Sequence, residues 1–337
     1  MLKVRGQLVT RKQILVICGI IFCLPLLILL LDHPRTRYIL KTVQLKSAFS
    51  LASDYTHLVN INFTFNMLPL ICIGDEEPLL ILVHSATNHF NNRKVIRETW
   101  GQYDDDIRLL FLVGTANGKD IQEKLEEESK QHSDLLQGNF VDTYHNLTYK
   151  HVMGLKYAVY HCSQAKFVLK VDDDVFVNIP TLKMFIATYI CQNRQPTKIL
   201  CSRIRNPTVL RSGKWATSLE DYPAKNYPTH CGGFAIFYPQ NVISTLYEMA
   251  QKTKFFWVDD VFVTGICAKQ SNITHIGIEH LVLSTADVHN IVDLSFTNIT
   301  KPFLIGRINL NENQIRSLWK FGRSHTSKTI LDYLDYN

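Results

Sequence analysis

The sequence predicts an α/β domain with a largely parallel central sheet, preceded by one N-terminal transmembrane helix. Three observations predict it. Wholly apolar runs of strand length recur along the chain, helical segments separate them, and an uncharged run of eighteen residues stands near the amino terminus.

That run, Ile14 to Leu31, would rise roughly 27 Å as a helix, close to the thickness of a bilayer core. It is longer than the core of a cleaved signal peptide, and Leu29-Leu30-Leu31-Asp32 is no small-residue cleavage site. The expected organisation is therefore a cytoplasmic tail (1–13), a signal-anchor helix (14–31), a polar and aperiodic stem (32–75) and a lumenal domain (76–337).

Within the lumenal part, Leu79 to Val83 reads as a buried strand, and Asn91 to Trp100 as a short helix. Ile107 to Val113 reads as a second strand, ended by Gly114. Gly118 to His132 reads as a charged helix. Asn146 to Tyr160 is predicted helical with Asn146 as its N-cap, and Lys166 to Val171 is a third strand. Thr181 to Tyr189 is helical behind Pro180, which suits a first turn. After Lys198 the order loosens. Trp215 to Pro228 reads as loop, Cys231 to Tyr238 as strand, and Asn241 to Gln251 and Val261 to Lys269 as helices.

The net charge of +6 belongs to the amino terminus, where residues 1–46 carry eight basic side chains against Asp32 alone. The remainder has no basic bias, which speaks against nucleic-acid binding. Four sequons follow the anchor, at Asn62, Asn146, Asn272 and Asn298, while Asn206 is disqualified by Pro207. Six cysteines follow it too, none with CxxC zinc spacing; their even number suggests disulfides in an oxidising lumen, in a pattern that spacing leaves open, with buried free thiols as the alternative.

The sharpest chemical feature is Asp172-Asp173-Asp174 directly after a hydrophobic strand. Three adjacent carboxylates repel, and a hard divalent cation relieves that repulsion while also holding substrate phosphates. A second acidic pair, Asp259-Asp260, lies among Phe255, Phe256 and Trp257, a setting that suits a general base or a helix N-cap. Arg93 and Arg97 suit a diphosphate by bidentate bonds, or a solvated helix face.

Taken in order, the chain carries Arg93-x-x-Ile96-Arg97-x-Thr99-Trp100, Phe111-Leu112-Val113-Gly114 and Asp142-x-Tyr144-x-Asn146-Leu147-Thr148-x-Lys150. It continues with Lys170-Val171-Asp172-Asp173-Asp174-Val175-Phe176-Val177-Asn178, Tyr227-Pro228-x-x-Cys231-x-Gly233 and Asp259-Asp260-Val261-x-x-x-Gly265. Over roughly residues 79–270 this series resembles the β1,3-galactosyltransferase family, which includes β1,3-N-acetylglucosaminyltransferases and, more distantly, fringe-type enzymes.

The resemblance implies a single-pass type II Golgi membrane protein with a GT-A fold, a UDP-sugar donor, Mn²⁺ or Mg²⁺, and inversion at the anomeric carbon. It implies Asp174, with Asp172, at the metal. It places Asp172 and Asp173 toward nucleotide and sugar, with Ser85, Arg93 and Arg97 also assigned to the donor. Asp260 is the implied base, and Asp259 stands where relatives carry glutamate. Trp215, Tyr222 and Tyr227 are candidates for stacking on an acceptor glycan, of glycolipid or glycoprotein. Relatives often place a metal-contacting histidine where this chain has Ile308, with His280 or His289 as substitutes. Rival readings are a two-metal phosphohydrolase or nuclease, a β1,3-N-acetylglucosaminyltransferase, and an inactive sugar-binding relative.

Overall fold

The computed structural model describes residues 56–72, 79–102, 104–192, 197–293 and 302–324, with two short strands at 3–4 and 7–8. Two compact units are distinguished. In residues 1–52 with 73–75, the described part is an antiparallel pair, Lys3–Val4 with Gln7–Leu8. The expected anchor, 14–31, lies outside the described residues, and no described helix is long and apolar enough to cross a membrane.

The second unit is built on an eight-stranded sheet. Its strands are β1 (Phe65–Met67), β2 (Leu79–His84), β3 (Ile107–Thr115), β4 (Leu135–Val141), β5 (Phe167–Asp172), β6 (Ile199–Ile204), β7 (His230–Pro239) and β8 (His275–Gly277). They lie in the order β8-β6-β7-β5-β2-β3-β4-β1. The central four, β4-β3-β2-β5, are parallel, as the apolar runs within β2, β3 and β5 predict. β7 runs antiparallel between β5 and β6, and β1 runs antiparallel on the edge of β4.

Helices cover both faces. Leu80, Leu82, Leu110 and Leu112 pack toward α3 (Leu147–His161) and α5 (Gln240–Lys252). The alternate residues Ile81, Val83 and Phe111 pack toward α1 (Phe90–Glu98), α4 (Ile179–Gln192) and α7 (Glu312–Ser324), the side that α2 (Lys119–His132) and α6 (Thr285–Val292) complete. α3 is buried along nearly its whole length, which explains its weak amphipathicity.

Four expectations are corrected. Residues 56–72 are not stem, because β1 joins the sheet, Leu58 and Phe63 are buried, and Cys72 is bridged to Cys162. Gly114 does not end its strand. It lies inside β3, where a Cβ would fall 2.5 Å from the Phe140 carbonyl oxygen, so only glycine permits this approach of β3 to β4. Asn146 precedes α3, but its amide donates to the Val141 carbonyl and caps nothing. The six cysteines do not all pair: Cys201 bridges Cys231, while Cys267 is a buried thiol.

Candidate active site

The carboxyl ends of β2 and β5 lie side by side, with His84 in register with Asp172. Beyond them opens a cavity of about 690 Å³, lined by His84, Lys170, Asp172, Asp174, Asp259 and Asp260 among others. A cleft of this size at strand ends is the ordinary ligand position in open α/β sheets.

Alternation continues past β5, so Asp172 and Asp174 face the cavity and Asp173 does not. Asp173 is buried, and its Oδ2 accepts from Ser85 Oγ at 2.6 Å and pairs with His89 Nδ1 at 2.9 Å. Ser85 is itself buried and accepts from Arg93. Both were expected at the donor, and both instead brace the wall behind it.

Arg93 and Arg97 are corrected as diphosphate ligands. The fully buried Arg93 guanidinium spends its donors on Glu128, on Ser85 Oγ and on the carbonyls of Ala86 and Thr87. Arg97 forks onto Asp134 at 2.7 and 2.8 Å and meets Glu128 at 2.7 Å. Neither lines the cavity. The Asp142-x-Tyr-x-Asn-Leu-Thr-x-Lys motif is also a brace. Lys150 donates to Asp142 and to the Ser85 carbonyl, and Asp142 accepts from the Gly114 N–H.

Asp174 Oδ2 accepts from the Asn309 N–H at 3.1 Å, while its Oδ1 is buried and has no hydrogen-bond partner among the described residues. Burial, then the Asp172 charge, raises the Asp174 carboxyl above its ordinary range. An orphaned oxygen beside a second carboxylate fits a hard divalent cation that takes its other ligands from phosphates and water. Asp172 is the second acid, its Oδ1 accepting from Lys170 at 2.6 Å. Among the described residues, no group of three or more His, Cys, Asp or Glu is placed to hold a metal. Ile308 does reach the cavity wall, beside Asn309. His289 pairs with Asp293 away from the cavity, and His280 is not among the lining residues, so neither substitutes.

Opposite in sequence and adjacent in space lies the acidic pair. Asp259 is buried, and its Oδ2 pairs with His151 Nδ1 at 2.8 Å, while His151 Nε2 pairs with the Tyr238 hydroxyl at 2.8 Å. Burial opposes the Asp259 charge, but Lys170 and then the His151 bond outweigh it and hold the carboxyl down. Asp260 is pushed up to about 7, by burial first and the Asp259 charge second. Gly233 lies against it, since a Cβ there would come 3.2 Å from Asp260 Oδ2. Asp260 also accepts from the Val261 N–H, at the start of a π-helical segment, Val261–Cys267. The cap reading is thus correct in part, and it coexists with a perturbed carboxyl at a cavity wall.

The acceptor candidates divide. Trp215 is 53% exposed on the cavity rim, and the Lys214 ammonium lies over its ring and over that of Tyr144. Tyr227 reaches the cavity but is buried, with its hydroxyl on Thr217. Tyr222 packs against Tyr227 and Phe256 and does not line the cavity. Sequence reading missed His84, His151, Tyr238, Tyr144, Trp257 and Asn309. His84 carried a signal as a polar residue at the carboxyl end of an apolar strand, and Tyr144 and Trp257 stand in or beside the sequence motifs.

Residues 91–279 match the family model described as Galactosyltransferase. β1,3-Galactosyltransferase 5 of Gorilla gorilla gorilla is 30% identical over 202 residues, which is 58% of this chain and 66% of that protein. β1,3-Galactosyltransferase 1 of Mus musculus is 32% identical over 252 residues, 67% of this chain and 76% of that protein. Lactosylceramide 1,3-N-acetyl-β-D-glucosaminyltransferase A of Xenopus laevis is 30% identical over 234 residues, 66% of this chain and 60% of that protein. The chain thus spans just under two thirds of the gorilla relative's length.

Proposed function

The chain belongs to the galactosyltransferase family, and from that premise we propose that it moves a hexose, galactose, from a UDP-sugar to a glycan hydroxyl in β1,3 linkage with inversion. The observation that carries this reading is one cavity at the strand ends that holds both an unpartnered Asp174 oxygen and a raised Asp260 carboxyl.

Asp174, with Asp172, would hold Mn²⁺ or Mg²⁺. When bound, the cation supplies positive charge for the diphosphate leaving group. Asp260 accepts the proton of the acceptor hydroxyl as that oxygen attacks the anomeric carbon. A single base on one face of the sugar gives inversion. The Asp259 carboxylate holds up the proton affinity of Asp260 by repulsion. The rim of Trp215, Tyr144 and Trp257 offers apolar ring faces to the acceptor.

We place the protein in the Golgi membrane as a single-pass type II protein with its catalytic domain in the lumen. Two disulfides, the exposed sequons at Asn62 and Asn272, and the apolar run 14–31 support that placement. A second donor, UDP-N-acetylglucosamine, is favoured by the likeness to the Xenopus enzyme.

The test is a transfer assay on the full-length chain in microsomes, with a panel of UDP-sugars and with Mn²⁺ or EDTA. Galactose transfer that disappears in EDTA is expected. Transfer of N-acetylglucosamine alone would replace the donor. Absence of both transfer and UDP release with every donor would overturn the enzymatic reading.

A further inference from the structure

The pairing of two neighbouring carboxyls, one ionised and one poised, needs a device that chooses between them. We infer that His151 is a positioning residue that fixes the negative charge on Asp259 and so leaves Asp260 as the proton acceptor of the transfer reaction. This rests on the assignment of Asp260 as base.

The geometry determines the direction of the hydrogen bonds. Nε2 and the Tyr238 hydroxyl are 2.8 Å apart, and Nδ1 and Asp259 Oδ2 are 2.8 Å apart. An ionised carboxylate only accepts, so Nδ1 carries the hydrogen. In a neutral ring Nε2 is then an acceptor, and the Tyr238 O–H donates to it. Burial lowers the proton affinity of His151, in keeping with a neutral ring. The chain Tyr238 to His151 to Asp259 therefore delivers one directed N–H to Asp259 and none to Asp260. His151 lies on α3 and Tyr238 on β7, both in the packed core, so the N–H is held in place by two elements.

The charged and titratable groups around the pair come from several elements. β5 contributes Lys170 and Asp172, β2 contributes His84, β7 contributes Tyr238, and the turn before α3 contributes Tyr144. Lys170 attracts both carboxylates and acts more strongly on Asp259. Only His151 makes a side-chain hydrogen bond to one member of the pair and not the other among the described residues. Without that bond, the single proton the pair holds at intermediate pH divides between the two carboxyls. A fraction of molecules then keeps Asp260 ionised below the usual limb.

The experiment compares the pH dependence of kcat for His151→Leu, His151→Asn and Tyr238→Phe in the full-length chain. Asp260→Asn is measured first, and loss of its acid limb establishes the base. His151→Leu is expected to leave kcat at high pH and donor KM near wild type, and to move the acid limb to lower pH. His151→Asn, which keeps an N–H near the Nδ1 position, should restore the wild-type limb. Tyr238→Phe should move the limb in the same direction by less. A wild-type limb in His151→Leu, with wild-type thermal melting, would overturn the inference. If that variant does not fold, an unmoved limb in Tyr238→Phe overturns it. Retained turnover in Asp260→Asn would instead sink the assignment of the base.

Discussion

Asp173 and Asp174 are neighbours in sequence and differ in everything the fold gives them. Asp173 is satisfied by Ser85, His89 and Asn92 behind the cavity wall, while Asp174 keeps an unpartnered oxygen at the cavity. Asp174→Ala should therefore abolish Mn²⁺-linked UDP binding, read by calorimetry, while leaving melting unchanged or higher, because a repelled carboxylate is removed. Asp260→Asn should lower kcat by roughly 10²–10⁴ with little change in donor affinity, and should erase the fall in turnover below pH about 7. Its effect on stability has a definite sign. A carboxyl whose folded pKa is raised stabilises the fold below the unfolded value, and that contribution is lost as pH rises through the folded value. Asp260→Asn should thus raise the melting temperature relative to wild type more at pH 8 than at pH 5. The acidic residues stood out because one group directly follows an apolar strand and the other lies among Phe255, Phe256 and Trp257. Arg93 and Arg97 were misread because Glu128 and Asp134, which hold them, lie 35 and 37 residues away. His151 was invisible for a similar reason, since its partner Asp259 is 108 residues distant.

At the scale of elements, the parallel strands β2, β3 and β5 were read to within a residue or two, since each contains an apolar run. β4, β6, β8 and β1 were missed. β4 carries Gln137, Gly138 and Asn139, and β6 carries Ser202 and Arg203, so neither presents an unbroken apolar run. β1 has three residues and takes its structure from pairing with β4, a contact that local sequence does not encode. The bridge from Cys72 to Cys162, across 90 residues, ties the end of this segment to the carboxyl end of α3. A cross-link over a loop of that length stabilises by restricting the unfolded chain. Cys72→Ala with Cys162→Ala should cost about 2–5 kcal/mol, measured by denaturant unfolding under oxidising conditions. An unchanged midpoint would mean that β1 and the buried Phe63 anchor the segment by packing alone.

For the whole molecule, the proposed orientation rests on combining features that are weak one by one. The positive excess is confined to residues 1–46, the cavity is lined with carboxylates, and two bridges need an oxidising compartment. The first and the third support the proposed lumenal domain behind an N-terminal anchor. The sequons turn this into a measurement. Asn62 lies exposed on a strand, and Asn272 is exposed in a left-handed turn at φ 57°. Asn146 is half-buried, its amide donates to the Val141 carbonyl, and its sequon threonine, Thr148, is buried on the Phe256 carbonyl. Its neighbours Tyr144 and Leu147 line the cavity, where an attached glycan would crowd the acceptor. Asn62→Gln and Asn272→Gln should therefore each remove one step of glycosidase-sensitive mobility from protein made in microsomes, and Asn146→Gln should remove none. Protease added outside the vesicles should leave the domain intact. A chain with no glycosidase shift whose carboxyl-terminal domain is digested would reverse the orientation, and with it the access of the site to lumenal glycans.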